Sequence, residues 1–340
     1  MAAANDNLQR NQALDFTKGA LVLFMVLYHW LNYFVSPTGD FYRYIRFVTP
    51  SFIFISGFLI SSIYLSKYQI TDARLPKRLV LRGLKILGIF LTLNLGISLL
   101  LSGSYAGQIL FSLRNLFTIF ISGNTVLTGS TKAAAFYILV PISYLLLLSA
   151  GLLVLGRFVK YIFHVTFLLF LSGVVVLGLA GLKSANLELL TIGLLGVLFG
   201  YVPTEKINRF VRHPYTLMGA YLGYLIAIRI YDVIYPLQVI GVCLSLMLIY
   251  LVGVKEGQPS RGRMHVILLG KYSLFGYIIQ IAILQLLHHS LRHMNLATGA
   301  GTVVLSFFAA FGLTMVSVEV VDRLRRRFAA VDRLHRAVFA

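Results

Sequence analysis

The stretch ALDFTKGALVLFMVLYHW, residues 13–30, is long and apolar enough for a membrane span, yet it carries Asp15, Lys18 and His29. The composition around it decides the fold. The chain of 340 residues is 58% hydrophobic and only 12% charged, with mean hydropathy +0.84. A soluble domain carries roughly twice that charged fraction. Apolar stretches of about twenty residues, the length that crosses the hydrocarbon core as a helix, recur along the sequence. The short alternating strands of an outer-membrane barrel do not appear. The expected fold is an all-α integral membrane protein.

Hydropathy places helices near residues 14–36, 45–66, 79–101, 133–156, 160–181, 187–202, 215–234, 236–254, 265–287 and 298–321. This is a bundle of about ten transmembrane helices. Basic residues set its orientation, because cytoplasmic loops are enriched in Lys and Arg. One set of loops carries Lys67, Arg74, Lys77, Arg78 and Arg82, then Arg157 and Lys160, Lys206, Arg209 and Arg212, and Lys255, Arg261 and Arg263. The tail RLRRRFAAVDRLHR joins that set. The opposite loops hold only Arg43, Arg46, Arg114, Lys132, Lys183 and Arg292. Ten spans with both termini cytoplasmic satisfy this bias at every turn. An eleventh, at Ala106–Ser122, would invert everything after it, so that piece is expected to be interfacial or re-entrant on the outer side. The expected organisation is a cytoplasmic tail over 1–12, a transmembrane domain over 13–321 and a basic cytoplasmic tail over 322–340.

The net charge of +19 sits between the apolar stretches, which fits topology and anionic membrane lipids rather than nucleic acid. The single cysteine, Cys243, excludes a disulfide framework and any Cys/His zinc spacing. His288, His289 and His293 cluster on an expected outer loop without carboxylates, so no metal is expected there. The first helix has no small-residue cleavage site and reads as uncleaved.

Lys18 and His29 are eleven residues apart. On a helix they fall about 20° from eclipsed, with a rise of ~16 Å between them. Asp15 lies three residues before Lys18, at ion-pairing distance. With the amino end inside, Asp15 and Lys18 sit at the cytoplasmic edge, where Lys18 either snorkels or shapes a site. His29 then lies in the outer half of the bilayer. An ionisable group at that depth faces the protein interior or water by default. Trp30, the only tryptophan, reads as an outer-belt residue.

The opening D-F-T-K-G-x9-H (Asp15 to His29) resembles that of membrane acyltransferases of the acyltransferase-3 type. Lys18 stands where that family has Arg, and the spacing to His29 is kept. Three further pieces match in order. They are PSFIFISGFLI (residues 50–60), FYILVPISYLLL (136–147) and LGKYSLFGYIIQ (269–280). The last is similar to a late L-G-x-x-S-x-x-x-Y-x-x-H motif, with Gln280 in place of His, so no second base is expected there. The opening also resembles the related heparan-glucosaminide acetyltransferase group.

The resemblance implies an O-acyltransferase in a bacterial inner membrane, of the kind that serves O-acetylation in polysaccharide modification, with exopolysaccharide, lipopolysaccharide, glucan, lipid-linked sugar or a small molecule as alternative acceptors. The acyl group, normally acetyl, would pass from cytoplasmic acyl-CoA to a hydroxyl of an extracytoplasmic or lipid-linked carbohydrate. No cofactor is bound permanently, and acetyl-CoA is the donor substrate. His29 is the candidate general base, since histidine suits proton removal near neutral pH. Lys18 and Asp15 line the inner mouth. Arg74, Lys77, Arg78 and Arg82 are candidates for the CoA phosphates, although positive-inside topology alone also accounts for them. Ser56 is a candidate donor to the thioester oxygen or, with Gly57, a packing residue. Asn32 and Tyr33 either fix the His29 tautomer or pack at the outer rim. Phe41, Tyr42, Arg43, Tyr44 and Arg46 mix aromatics with charge, as a sugar site or a membrane belt would. Ser273, Tyr277 and Gln280 form one polar stripe, which serves either as interhelical glue or as an acceptor site. The rival reading is a transporter or flippase. Its paired Gly/Pro helix breaks in two halves are not evident.

Overall fold

Asn11 starts the first helix, its Oδ1 accepting from the amides of Ala13 (3.0 Å) and Leu14 (3.2 Å). From there a computed structural model describes residues 11–35, 42–65, 74–100, 118–123, 136–211, 213–231, 233–254, 260–293 and 299–339. The described residues are predominantly helical and contain no strand. In chain order the helices are α1 (Gln12–Phe34), α2 (Tyr42–Ile45), α3 (Val48–Leu59) and α4 (Arg74–Leu100). Then come α5 (Leu139–Leu155), α6 (Ile162–Leu179), α7 (Ala185–Phe199), α8 (Thr204–Val211) and α9 (Pro214–Tyr231). The last five are α10 (Tyr235–Val254), α11 (Arg261–Lys271), α12 (Ser273–His293), α13 (Ala300–Arg327) and α14 (Ala329–Phe339).

Among the described residues, seven helices are long and apolar enough to cross a membrane: Gln12–Phe34, Tyr42–Leu65, Arg74–Gly96, Ile162–Leu179, Tyr235–Val254, Ser273–Leu291 and Gly301–Arg327. The apolar helices α5 and α7 are shorter, and α9 occupies the remaining segment of the ten read from hydropathy. The chain is thus a multi-pass membrane protein. The Ala106–Ser122 piece lies outside the described residues except for Thr118–Ser122, which forms a π-helical turn.

Two expectations about helices change. The segment near 265–287 is not one helix, because Tyr272 leaves helical geometry (φ −108°, ψ 28°) and separates α11 from α12. The basic segment before residue 79 is not all loop. Helix α4 begins at Arg74, so its cations lie on a helix.

The chain divides into two compact units, residues 1–48 with 208–339, and residues 49–207. In the first, α1 lies most extensively against α11, and also against α10, α12 and α13. Gly19 and Gly270 let the α1 and α11 backbones touch. A Cβ on Gly270 would overlap the Asp15 carbonyl, and one on Gly19 would overlap the Val266 carbonyl. Further along, Val26 and Trp30 form a core with Leu284 of α12 and Ala310 of α13. Trp30 is not a belt residue. It is buried, its indole Nε1–H donates to Ser306 Oγ (3.0 Å), and its ring meets Phe307 edge-on. Indole carries a polar N–H that finds a partner when buried, and the α1 face bearing Trp30 is turned to α13.

In the second unit, α3 and α7 approach as small residues allow, since a Cβ on Gly57 would overlap the Gly193 carbonyl. Ser61 Oγ donates to the Val197 carbonyl (2.6 Å), and Ser143 Oγ on α5 to the Gly83 carbonyl of α4 (2.9 Å).

Helix α13 runs past residue 321 to Arg327 and is followed by α14, which folds back on it. Asp332 accepts from Arg325 (2.7 Å) and pairs with Arg336. His335 lies edge-on to Tyr272 and beside Phe339. Burial, with Arg325 adding to it, lowers the His335 pKa, whereas the hydrogen bond from Arg325 leads in lowering that of Asp332. Both shifts act in the same direction on stability. A histidine whose folded pKa is depressed opposes folding as pH drops below its unfolded value near 6.5, and a depressed carboxylate withdraws its support only below about 4. Docking of α14 is therefore expected to begin loosening as pH falls below about 6.5, then again below about pH 4. Limited proteolysis around Phe328 should be faster at pH 5 than at pH 7.5, and His335→Phe should remove that first step. Equal cleavage at both pH values in the unmodified protein would refute it.

Candidate functional site

The face of α1 that packs on α11 and α12 carries Asp15, Lys18, Val22, Val26, His29 and Tyr33, all within roughly 80° around the axis. Asp15 is almost fully buried and holds Lys18 Nζ at 2.7 Å, the pairing expected from their spacing. Two features make this pair tolerable in an apolar setting. A charge buried with its partner avoids most of the desolvation penalty of a lone ion, and an acidic group in a first helical turn faces the positive end of the helix dipole. Thr17 Oγ1 donates to the Ala13 carbonyl (2.8 Å), keeping that turn closed.

His29 is half-buried, and its ring meets Tyr28 edge-on with centroids 5.2 Å apart. Tyr28 in turn lies 5.3 Å from Tyr42 on α2, the helix that carries the half-buried Arg43. Tyr33 packs on His288 of α12 at 5.4 Å, and Asn32 is half-buried beside it. His29, Tyr28, Tyr42 and Tyr33 thus surround the end of α1 opposite the Asp15–Lys18 pair. On α12, Tyr277 and Gln280 are both buried. His289 and His293 contact each other through their Nε2 atoms (2.9 Å), whereas His288 sits under Tyr33 and Phe34. The three imidazoles do not converge, and the described residues contain no metal-binding group of three.

The second unit holds the remaining candidates. Arg74, Arg78, Arg82 and Lys85 recur at helical spacing on one face of α4, with Lys77 beside them. The opposite face buries Leu75, Leu79, Gly83, Ile86 and Phe90. Arg82 Nη1 donates to the Tyr64 hydroxyl. Such a row of exposed cations is suited to polyanionic groups, arginine above all. Ser56 Oγ donates to the Phe52 carbonyl (2.8 Å), committing its proton within its own helix. Phe41 lies outside the described residues.

One polar centre was not anticipated from sequence. Buried Asn186 donates from Nδ2 to the carbonyls of Ile119 (3.1 Å), Phe120 (3.0 Å) and Ile121 (3.3 Å), and accepts from the Tyr137 hydroxyl. It ties the π-helical turn to α7. Its only sequence signal is a carboxamide in the first turn of an apolar helix, which reads equally as a cap.

The family model for the acyltransferase-3 acyltransferase domain matches residues 11–319, which takes in α1 with its ion pair and His29 as well as α12. No curated protein and no solved structure matches the chain.

Proposed function

Because the chain belongs to the acyltransferase-3 family, we propose that it is an integral membrane O-acyltransferase with acyl-CoA as donor and a carbohydrate hydroxyl as acceptor. The observation that carries this reading is the family match over residues 11–319, with His29 on the α1 face anchored by the Asp15–Lys18 pair. In the proposed topology ten helices cross a bacterial inner membrane and both termini are cytoplasmic. Donor then arrives at the Lys18 end of α1 and acceptor at the His29 end. The ~16 Å helix rise between them suits an extended pantetheine arm.

In the reaction, His29 takes the proton of the acceptor hydroxyl as its oxygen attacks the thioester carbonyl carbon. The new C–O bond forms and the C–S bond breaks. The departing CoA thiolate takes the proton back from the imidazolium, so acyl ester and free CoA thiol leave and His29 returns neutral. Lys18, fixed by Asp15, keeps a positive charge at the inner mouth, where the donor's anionic groups enter. Lys18 in place of Arg supplies charge without a bidentate fork. Arg74, Lys77, Arg78 and Arg82 are the proposed phosphate ligands, and Asn32, Tyr33, Arg43 and Tyr277 the proposed acceptor contacts.

The experiment is thermal unfolding of the detergent-purified protein with and without acetyl-CoA, with dephospho-CoA and ATP as controls. A ligand that binds only the folded state at 100 times its dissociation constant adds ~2.7 kcal/mol, a visible rise in Tm. A shift with acetyl-CoA larger than with either control is expected. A well-folded sample that shifts with none of the three would overturn acyl-CoA as donor.

A further inference from the structure

Gln280 is fully buried, and among the described residues neither Oε1 nor Nε2 of its carboxamide has a hydrogen-bond partner. A buried amide unpaired at both ends is rare, because each end forfeits a hydrogen bond it would make in water. Sequence economy would put leucine there. A group that is costly in the empty fold and well formed for recognition points to a ligand.

Its position narrows the ligand. A Cβ on Gly276, one turn before Gln280 on α12, would meet Val22 of α1, and Leu284, one turn after it, clusters with Val26 and Trp30. Gln280 therefore sits on the strip of α12 that faces α1, level with the stretch between Val22 and Val26. That places it roughly 9 Å along the axis beyond Lys18 and about 7 Å short of His29. Lys18, Val22, Val26 and His29 share one face of α1, so Gln280 stands beside the line joining cation and imidazole. Apart from buried Tyr277, three residues before it, the surroundings are mainly apolar, with Val22, Met25, Val26, Ile281, Ile283 and Leu284 all buried.

We infer that Gln280 binds a secondary amide of the donor's pantetheine arm, its Oε1 accepting the amide N–H and its Nε2 donating to the amide C=O. This assignment rests on the acyl-CoA reading above. A planar carboxamide offers one acceptor and one donor side by side, the complement of an amide's two groups. Pantetheine is a slender chain with two such amides separated by methylenes, which suits isolated polar points in a mainly apolar passage. A sugar ring would demand several polar partners at this depth. Entry needs side chains between α1 and α12 to re-pack, and unbranched Met25 is suited to that.

The test is equilibrium binding to detergent-purified protein, with acetyl-CoA and with adenosine 3′,5′-diphosphate, the nucleotide half that lacks pantetheine. Gln280→Leu is expected to weaken acetyl-CoA about tenfold, to leave the diphosphate unchanged, and to hold or raise the Tm of the ligand-free protein. Gln280→Met, closer in length, repeats the measurement should the leucine variant fail to fold. Unchanged acetyl-CoA affinity in a folded variant overturns the role of Gln280 and leaves the donor reading standing. A lowered Tm with equal losses for both ligands overturns it too, by showing a structural role. No binding of acetyl-CoA to the unmodified protein overturns the donor reading and the inference together.

Discussion

His29→Ala is expected to lower acyl transfer by roughly 10²–10⁴-fold, the usual contribution of a positioned general base. Acetyl-CoA should still bind, because the imidazole acts on the acceptor hydroxyl and not on the donor's recognition groups. The measurement is acceptor-dependent release of CoA thiol in membranes carrying the protein, paired with acetyl-CoA binding to the same variant. A hydroxyl is a poor nucleophile until its proton has somewhere to go, so loss of the base falls on turnover. Transfer at an undiminished rate would remove His29 from the chemistry. Trapping labelled acetyl on His29 in the unmodified protein would replace direct transfer by a covalent relay.

Gly270→Val is expected to cost roughly 3 kcal/mol of stability, at the upper end for overpacking a close contact. Any Cβ there overlaps the Asp15 carbonyl and crowds the Gly19 amide. Those atoms are backbone and cannot rotate aside, so the first turn of α1, with Asp15 and Lys18, must move off α11. Gly223→Ala on α9 is the control, since nothing lies within 4 Å of a Cβ at that position. It should leave the Tm level or raise it, as alanine is the better helix former. The comparison is thermal unfolding of both variants in the same detergent. Equal Tm values for the two would show that the α1–α11 contact is not tight.

Much of this was legible because membrane helices announce themselves by length and apolarity. Each segment placed from hydropathy contains a described helix, and the Asp15–Lys18 pair follows from three-residue spacing alone. Tyr272 illustrates what was not legible. No proline lies near it and Gly270 alone does not mark a break, which accompanies tertiary partners, the Tyr272 hydroxyl donating to Asp322 (2.8 Å) and the ring carrying Arg325 and His335. Trp30 was misjudged for a similar reason. Composition reports how often tryptophan lies at an interface, but its burial depends on Ser306, 276 residues away. The polar stripe Ser273–Tyr277–Gln280 was visible as spacing, whereas the lack of partners at Gln280 depends on which neighbours face it.

The discontinuous first unit has a consequence for biosynthesis. Helix α1 leaves the ribosome well before its main partners, α10 to α13, which follow the whole of residues 49–207. Until α11 is made, Asp15 and Lys18 lack the cover that helix gives them. Their mutual neutralisation, at 2.7 Å and within one helix, needs no later segment. The pair is therefore expected to ease insertion of α1 before Gly270 arrives to cover it.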